Sequence, residues 1–387
     1  MSLRPWRKEY LVFGSPCIGE EERQEVLACI DSLWLGSGPR VKRFEEDFAE
    51  YIENNNAVAV NSGTAALHLA LKELNLEAGS EVILPSLTFC ATANAAIHAG
   101  LKPVFADCNL KTMNIDIGEI KNKITDQTRV IVPVHFAGRP CDMISIMDLA
   151  KKKSLRVVED CAHAIESTID GKHCGTFGDY GCFSFYVTKN LTTVEGGMVV
   201  GPDINSLNRI KTMALHGMSK DAWHRFSDKG FIHYEVLEPG FKYNLSDIAA
   251  SFGIHQLSRI ENMYQRRQEV WEFYKGELDR LPLILPVSEP GDVRHGLHLF
   301  TCLVDDSKTS LNRDQVVQSL HELRIGCGVH YKPLHLHKYY QEIFEYNEGD
   351  LPNAEYIGQR TFSIPLSGVL KDEDAADVVK ALTLIFN

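Results

Sequence analysis

The chain has 387 residues, 44% of them hydrophobic, enough for one large α/β domain and a smaller C-terminal one with a sizeable core. Its 40 basic and 52 acidic side chains leave a net charge of -12, with no long Lys/Arg run and no basic-aromatic interleaving, which argues against a nucleic acid partner. No stretch approaches the roughly 18 apolar residues of a membrane span and the first ten residues lack a signal-peptide run, so a cytoplasmic chain without a membrane partner is expected.

The ten cysteines form no CxxC pair and most lie inside apolar runs, as reduced core thiols do; neither a disulfide nor a structural zinc is expected.

Gly19 to Leu35 opens on Glu20, Glu21 and Glu22 and sets Val26, Leu27, Ile30 and Leu33 at helical spacing, which predicts an amphipathic helix with its acids at the positive end of the dipole. Trp34-Leu35-Gly36-Ser37-Gly38-Pro39 then turns, at a place suited to a substrate loop, and Val41 to Tyr51 resumes a helix. Val58-Ala59-Val60 is a short strand, and Asn61-Ser62-Gly63-Thr64 opens the helix behind it. Small hydroxyl residues around a glycine at a helix start expose free N–H groups and the positive dipole end, which suits a phosphate monoester and equally an ordinary N-cap.

Glu81 to Pro85 is the next strand, with Phe89 at its junction to a helix, placed either to stack on a flat ring or to join the core. Lys102 to Asp107 and Arg129 to His135 read as two more strands, separated by the helical Ile117 to Ile124. Arg156 to Asp160 reads as a buried strand with a carboxylate at its end, and Tyr180 to Tyr186 as another that delivers Lys189 on the loop behind it. An amine and a carboxylate thus meet at neighbouring strand ends, the pairing that pyridoxal 5′-phosphate chemistry needs: a Schiff-base lysine and an acid for a protonated pyridine nitrogen. Taken singly, Lys189 also reads as a solvated loop lysine and Asp160 as a strand-end cap.

The alternation of strands and helices to about Gly201 predicts a mostly parallel sheet with helices on both faces. Ligands on such sheets gather at the carboxyl ends of the strands, where Ser62, Gly63, Thr64, Phe89, Asp160 and Ser184 all fall. Ser219 to Glu238 reads as a long excursion, a lid or interface arm. Asn244 to Tyr264 is helical again, with Ile248, Phe252, Leu257 and Ile260 available for packing. Beyond it, the strand His298 to Val304 and the helices Arg313 to Leu323 and Asp372 to Leu384 predict a small α+β module. The expected division is 1–260 and 261–387. His330, Tyr331 and His335 lie between elements of that module, placed to line a site mouth, while His335 and His337 lack a third ligand for a metal.

Six stretches together resemble the sugar-nucleotide aminotransferase family: Asn61 to Leu69, Pro85 to Phe89 followed by Ala91 to Asn94, Glu159-Asp160-Cys161-Ala162-His163-Ala164, Phe183-Ser184-Phe185 with Lys189-Asn190, Glu195-Gly196-Gly197, and Gly240 to Leu245. Within it, His216 to Trp223, Lys242-Tyr243-Asn244, His298-Leu299-Phe300 and His330-Tyr331 most resemble the UDP-4-amino-4-deoxy-L-arabinose:2-oxoglutarate aminotransferase branch.

The resemblance implies an α/β protein of aminotransferase fold type I: a three-layer αβα large domain on a mostly parallel seven-stranded sheet, a small C-terminal α+β domain, and a homodimer with shared active sites. It implies that Lys189 holds pyridoxal phosphate as a Schiff base, Asp160 pairs with the ring nitrogen, His163 meets the ring hydroxyl and Phe89 stacks on the ring. Ser62, Gly63, Thr64 and Ser184 would hold the phosphate, with Lys242 or Asn244 reaching it from the partner subunit. Trp34, His216, His330 and Tyr331 become substrate-binding candidates, and Lys211, Lys220 and Arg225 candidates for a substrate diphosphate. The activity implied is transfer of an amino group from L-glutamate, leaving 2-oxoglutarate, to a nucleotide-linked 4-keto sugar, with 3-amination as the alternative. Related dehydratases carry a histidine in place of the lysine, so Lys189 favours transamination. A pyridoxal-binding protein without turnover would show damage at Lys189, Asp160 or the phosphate loop, and none is seen; a dinucleotide oxidoreductase would need a strand-linked GxGxxG, which is absent.

Overall fold

Short apolar runs that are buried on both faces make the strands of the main sheet, which is why they read as nearly continuous hydrophobic stretches rather than as alternating ones. In the computed structural model, which describes residues 4–54, 56–219 and 234–387, these are β1 (Ala57–Val60), β2 (Glu81–Pro85), β3 (Lys102–Ala106), β4 (Thr128–Ile131), β5 (Arg156–Asp160), β6 (Tyr180–Ser184) and β7 (Gly197–Val200). Among the described residues they form one seven-stranded sheet in the order β1-β7-β6-β5-β4-β2-β3. β7 runs antiparallel to both its neighbours and the other pairings are parallel. Helices cover the sheet as the alternation predicts, and the fold is the three-layer α/β arrangement of aminotransferase fold type I. No helix among the described residues is long and apolar enough to cross a membrane.

Glycine permits one close approach that shapes the site. A Cβ on Gly197, the first residue of β7, would lie 2.5 Å from the Ser62 carbonyl oxygen, so only a glycine lets β7 run this close to the start of the helix Gly63–Glu73.

Three expectations are corrected. The strand Arg129 to His135 stops at Ile131, because Pro133 has no N–H to continue the ladder; pairing survives as single contacts, Val132 N–H to the Ile83 carbonyl and a bridge between Val134 and Asp160. The helix Asn244 to Tyr264 is two helices, Asp247–Ser258, capped by Ser246, and Ile260–Leu278, broken at Arg259. Its buried stripe is Asp247, Ala250, Ser251, Ile254 and Leu257, leaving Ile248 and Phe252 half-buried. Gly253 sits so close to Phe44 of the helix Pro39–Tyr51 that a Cβ would come within 2.7 Å of the ring, and this contact fixes the helix rotation.

The helix Glu20–Asp31 turns its predicted apolar stripe outward. Glu22 and Cys29 are the buried residues, Glu22 accepting from Gln256 (2.8 Å) and ion-paired with Arg259, whereas Leu27, Ile30 and Leu33 are exposed, Leu33 by 85%.

The C-terminal module is an antiparallel sheet of Leu283–Ile284, Phe300–Val304 and Thr361–Ile364, packed against the helices Ile260–Leu278, Arg313–Glu322 and Asp372–Phe386. The N-terminal arm belongs to this core: Leu11 packs into it and exchanges backbone bonds with Arg324 and Gly326, and Trp6 Nε1 donates to Asp377 at 2.7 Å. Of the predicted lid Ser219 to Glu238, the Ser219 N–H donates to the Glu235 carbonyl at 2.9 Å and Val236 bridges to Met218 just before the segment; residues 220–233, with Lys220 and Arg225, lie outside the described residues.

Candidate active site

The carboxyl ends of β2, β5 and β6 and the helix that follows β1 open onto a cavity of about 520 Å³. It is lined by Ser62, Gly63, Thr64, Phe89, Asp160, His163, Ser184, Lys189, His330 and Tyr331, all singled out from the sequence, and also by Phe13, Gly14, Thr92, Thr188, His298 and Leu366.

At one end, the helix Gly63–Glu73 begins. Ser62 caps it, its hydroxyl accepting from the Ala65 N–H at 3.1 Å while its carbonyl takes the Ala66 N–H. The Gly63 and Thr64 N–H groups are left without intrahelical acceptors, at the positive end of the dipole and facing the cavity. A Cβ on Gly63 would come within 2.8 Å of the Ser184 Cβ, so the glycine is what seats the Ser184 hydroxyl beside those donors. The cradle suits a phosphate.

At the floor, Asp160 accepts from the Thr92 hydroxyl at 2.8 Å and from the Ala162 N–H at 3.1 Å. Burial pushes this carboxyl above its ordinary range, against the pull of Ala162, Thr92 and Lys189. A buried acid so placed calls for a cationic partner. Burial lowers Lys189 to about 8, only partly offset by Asp160. Near neutral pH a usable fraction of its amine is therefore unprotonated.

Phe89 is 59% exposed, unusual for an aromatic side chain at a strand-to-helix junction, and its exposed surface is cavity wall. On the side of the C-terminal module, His163 accepts the Ala137 N–H at Nδ1 (3.2 Å), which puts its proton on Nε2, facing the Tyr331 hydroxyl at 3.4 Å. His330 bonds the Ser363 hydroxyl through Nδ1 at 2.9 Å, stacks on Phe13, and is held by burial and Lys189 at about 4. His163 and His298 are held well below their ordinary values by burial first and by Lys189 next. Neutral imidazoles therefore surround the amine.

Beneath Asp160, Glu159 takes the N–H groups of Gly175, Phe177 and Gly178 at 2.7–2.8 Å and bonds His135 Nε2 at 3.2 Å. His135, Glu159 and Cys161 have a metal-like composition, but Nδ1 of His135 accepts the Cys141 N–H at 3.0 Å, so its Nε2 carries the proton donated to Glu159 and no imidazole lone pair is free. His335 likewise spends both nitrogens, on Ser86 (2.7 Å) and Glu355 (2.9 Å).

Five candidates stand outside the cavity of a single chain. Trp34 is half-exposed with its Nε1 on the Ser37 carbonyl at 3.0 Å, and His216 is exposed. Asn244 donates to Ser37 at 2.6 Å and accepts from the exposed Lys242 ammonium at 2.5 Å. Lys211 is paired with Glu45 at 2.7 Å. Reading the sequence missed Phe13, Thr92 and His298 as site residues; Thr92 carried a signal, a hydroxyl one turn into the helix that starts behind Phe89.

Residues 16–383 match the DegT/DnrJ/EryC1/StrS aminotransferase family. The chain belongs to that family. Its members are pyridoxal-phosphate-dependent sugar aminotransferases, and this chain is an enzyme of that kind. It is 44% identical over 377 residues, 97% of each chain, to the spore coat polysaccharide biosynthesis protein SpsC of Bacillus subtilis. Helicobacter pylori PseC, an aminotransferase involved in pseudoaminic acid biosynthesis, has a structure that superposes with a TM-score of 0.90 at 29% identity, over 98% of this chain and 99% of that one. The pyridoxal-phosphate form of the sugar aminotransferase Spr1654 of Streptococcus pneumoniae superposes with a TM-score of 0.90 at 28% identity, over 97% and 98%.

Proposed function

We propose that this aminotransferase moves an amino group from L-glutamate to a nucleotide-linked 4-keto sugar, as a cytoplasmic homodimer in which each active site is completed by the partner subunit. The observation that carries the reading is the placement of Lys189, Asp160 and the free N–H groups of Gly63 and Thr64 on one cavity. An amine, a buried acid in want of a cation and an anion cradle fit the aldehyde, pyridine nitrogen and phosphate of pyridoxal phosphate in turn. The bound cofactor supplies an electron sink for the bond-breaking at the amino-bearing carbon.

The protein's own residues do the rest. Asp160 keeps a proton on the ring nitrogen, and Thr92 and Ala162 hold Asp160 for that purpose. His163 offers its Nε2–H to the ring hydroxyl, Phe89 gives the ring a flat wall, and Ser184 adds a hydroxyl to the phosphate cradle. Lys189, with its amine held near 8, takes the proton from the donor's α-carbon and later delivers one to the carbon that was the sugar ketone.

The homodimer draws support from the outward face of the helix Glu20–Asp31: exposed Leu27 and Ile30, continued by Leu33, Trp34 and Leu35, form the apolar surface that association buries. Of the two residues offered to the partner's phosphate, the proposal takes Lys242. Both ends of the Asn244 amide are already engaged, whereas the Lys242 ammonium is exposed with hydrogens to spare. Residues 1–260 and 261–387 act in this reading as the large and small domains, with the N-terminal arm docked on the latter.

The test is a panel of UDP-, dTDP- and GDP-linked 4-keto and 3-keto sugars with L-glutamate, reading 2-oxoglutarate and the amino-sugar together. Equal amounts of both products from a 4-keto substrate are expected. Turnover confined to 3-keto sugars, or turnover that survives Lys189→Ala, would defeat the proposal.

A further inference from the structure

Behind Lys189 lies a buried chain of polar contacts that the reaction above does not use. Arg267, on the helix Ile260–Leu278, is ion-paired with Glu166; both are fully buried. The other oxygen of Glu166 receives the Asn190 amide nitrogen at 2.8 Å, and the same nitrogen lies 2.8 Å from the Gly296 carbonyl. The far end of the Asn190 amide meets His298 Nδ1 at 3.0 Å.

The logic of donors and acceptors leaves one assignment. A carboxylate and a carbonyl only accept here, so the end of Asn190 they share must be its NH2 group. Its oxygen then faces His298 and can only accept, so Nδ1 of His298 must carry the proton. Burial keeps this imidazole neutral, which leaves Nε2 as a bare lone pair. That ring lines the cavity together with Lys189 and lies 4.4 Å, centroid to centroid, from His163, whose own proton is on Nε2. Two adjoining imidazoles thus present opposite chemistry: His163 a donor, His298 an acceptor.

We infer that Asn190 is a positioning residue, held by Glu166 and Gly296, that fixes His298 as the Nδ1–H tautomer so that its Nε2 accepts a hydrogen bond from the amine nitrogen at work beside Lys189. This rests on the aminotransferase reading for the identity of the amine, though not for the tautomer. It gives the residue after the lysine a purpose, and it ties the small-domain helix to the amine through Arg267.

The experiment uses the holoenzyme labelled with 15N-histidine, with the His298 ring signals assigned by their loss in His298→Gln. The wild type is expected to show a protonated Nδ1 and an unprotonated Nε2 at His298. In Glu166→Gln, the new amide keeps its oxygen on Arg267 and turns NH2 toward the Asn190 NH2 that the Gly296 carbonyl still holds; this donor–donor conflict loosens Asn190, and His298 loses its single Nδ1–H tautomer. In Asn190→Ala the signals become those of mixed tautomers. With Glu166→Gln, kcat falls on the order of tenfold while the KM for glutamate changes less than about twofold, the loss of one hydrogen bond made during the chemistry.

A wild-type His298 protonated at Nε2 overturns the inference, as does a tautomer that neither variant moves. If Asn190→Ala does not fold, the wild type and Glu166→Gln decide the matter. The ring signals report whether or not any sugar is turned over, and the visible absorbance of the cofactor in the same samples tests the aminotransferase reading separately.

Discussion

The inner and outer halves of this active site are built on different terms. The inner half, from the Gly63 cradle to Asp160 and Lys189, lies within one chain, with Asp160 held by Thr92 and Ala162 and with Asp160 and Lys189 lining the same cavity. The outer half is open: Trp34, His216, Lys242 and Asn244 stand clear of the cavity, and Leu27, Ile30 and Leu33 form an apolar surface left exposed among the described residues. The inner half is thus set by strand ends of one sheet, and the outer half awaits groups from elsewhere. The lesson is that reaction type resides in the single chain, whereas in the proposed homodimer substrate choice depends on association.

The largest effect that can break this contrast is at Lys189. Lys189→Ala removes the amine that carries the proton, and activity is expected to fall by about 10⁴-fold. The bound cofactor should still be retained through Gly63, Thr64, Ser184 and Asp160, seen by its absorbance after gel filtration. Loss of cofactor along with activity would mean that the inner half does not stand on its own.

A second test asks what the same lysine costs the fold. Burial holds Lys189 at about 8, below the 10.5 of an exposed lysine. The sign follows from linkage: the unfolded chain binds this proton more tightly, so the charged amine destabilises the folded state fully below pH 8, and the penalty vanishes as pH rises toward 10.5. Lys189→Met is expected to stabilise the cofactor-free protein at pH 7 by at most about 3 kcal/mol, the advantage shrinking across that window in urea titrations. The same titration controls reactivity. Labelling of the amine by a small aldehyde and borohydride should drop about tenfold for each pH unit below 8, whereas an exposed lysine falls off from a much higher pH.

The two halves also differ in how far the sequence discloses them. The sheet was legible from β1 to β6 because each of those strands carries a short apolar run between helical periods, while the antiparallel β7 was not singled out; Asp160, Ser184 and Lys189 were legible because a strand end tells where a side chain emerges. The direction of the helix Glu20–Asp31 was not. Periodicity shows that Val26, Leu27 and Ile30 share a face, but which face turns inward is decided by Glu22 meeting Gln256 and Arg259, more than two hundred residues away. Phe13 escaped for the same reason: the arm that carries it is docked by Trp6 and Leu11 on the far end of the chain. His298 could be placed near a strand but given no role, because its chemistry depends on Asn190, Glu166 and Arg267 together.

The smallest predicted effect is the most discriminating for the outer half. Lys242→Ala should weaken pyridoxal phosphate binding by about tenfold, as one exposed charge-assisted hydrogen bond is lost, and the difference should narrow at high salt. A decrease of that size alone does not say whose phosphate the ammonium reaches, but mixing subunits does. Lys189→Ala and Lys242→Ala chains, each impaired as a homodimer, would on exchange form mixed dimers with one doubly damaged site and one intact site. If Lys242 acts across the interface, random mixing gives intact sites at roughly a quarter of the wild-type number, and tight cofactor binding with full turnover returns in proportion. If Lys242 serves its own chain, no mixed dimer contains an intact site beyond those expected of the Lys242→Ala subunits by themselves. The unmixed homodimers fix that baseline, so a rise above it on mixing is the signature of a shared site.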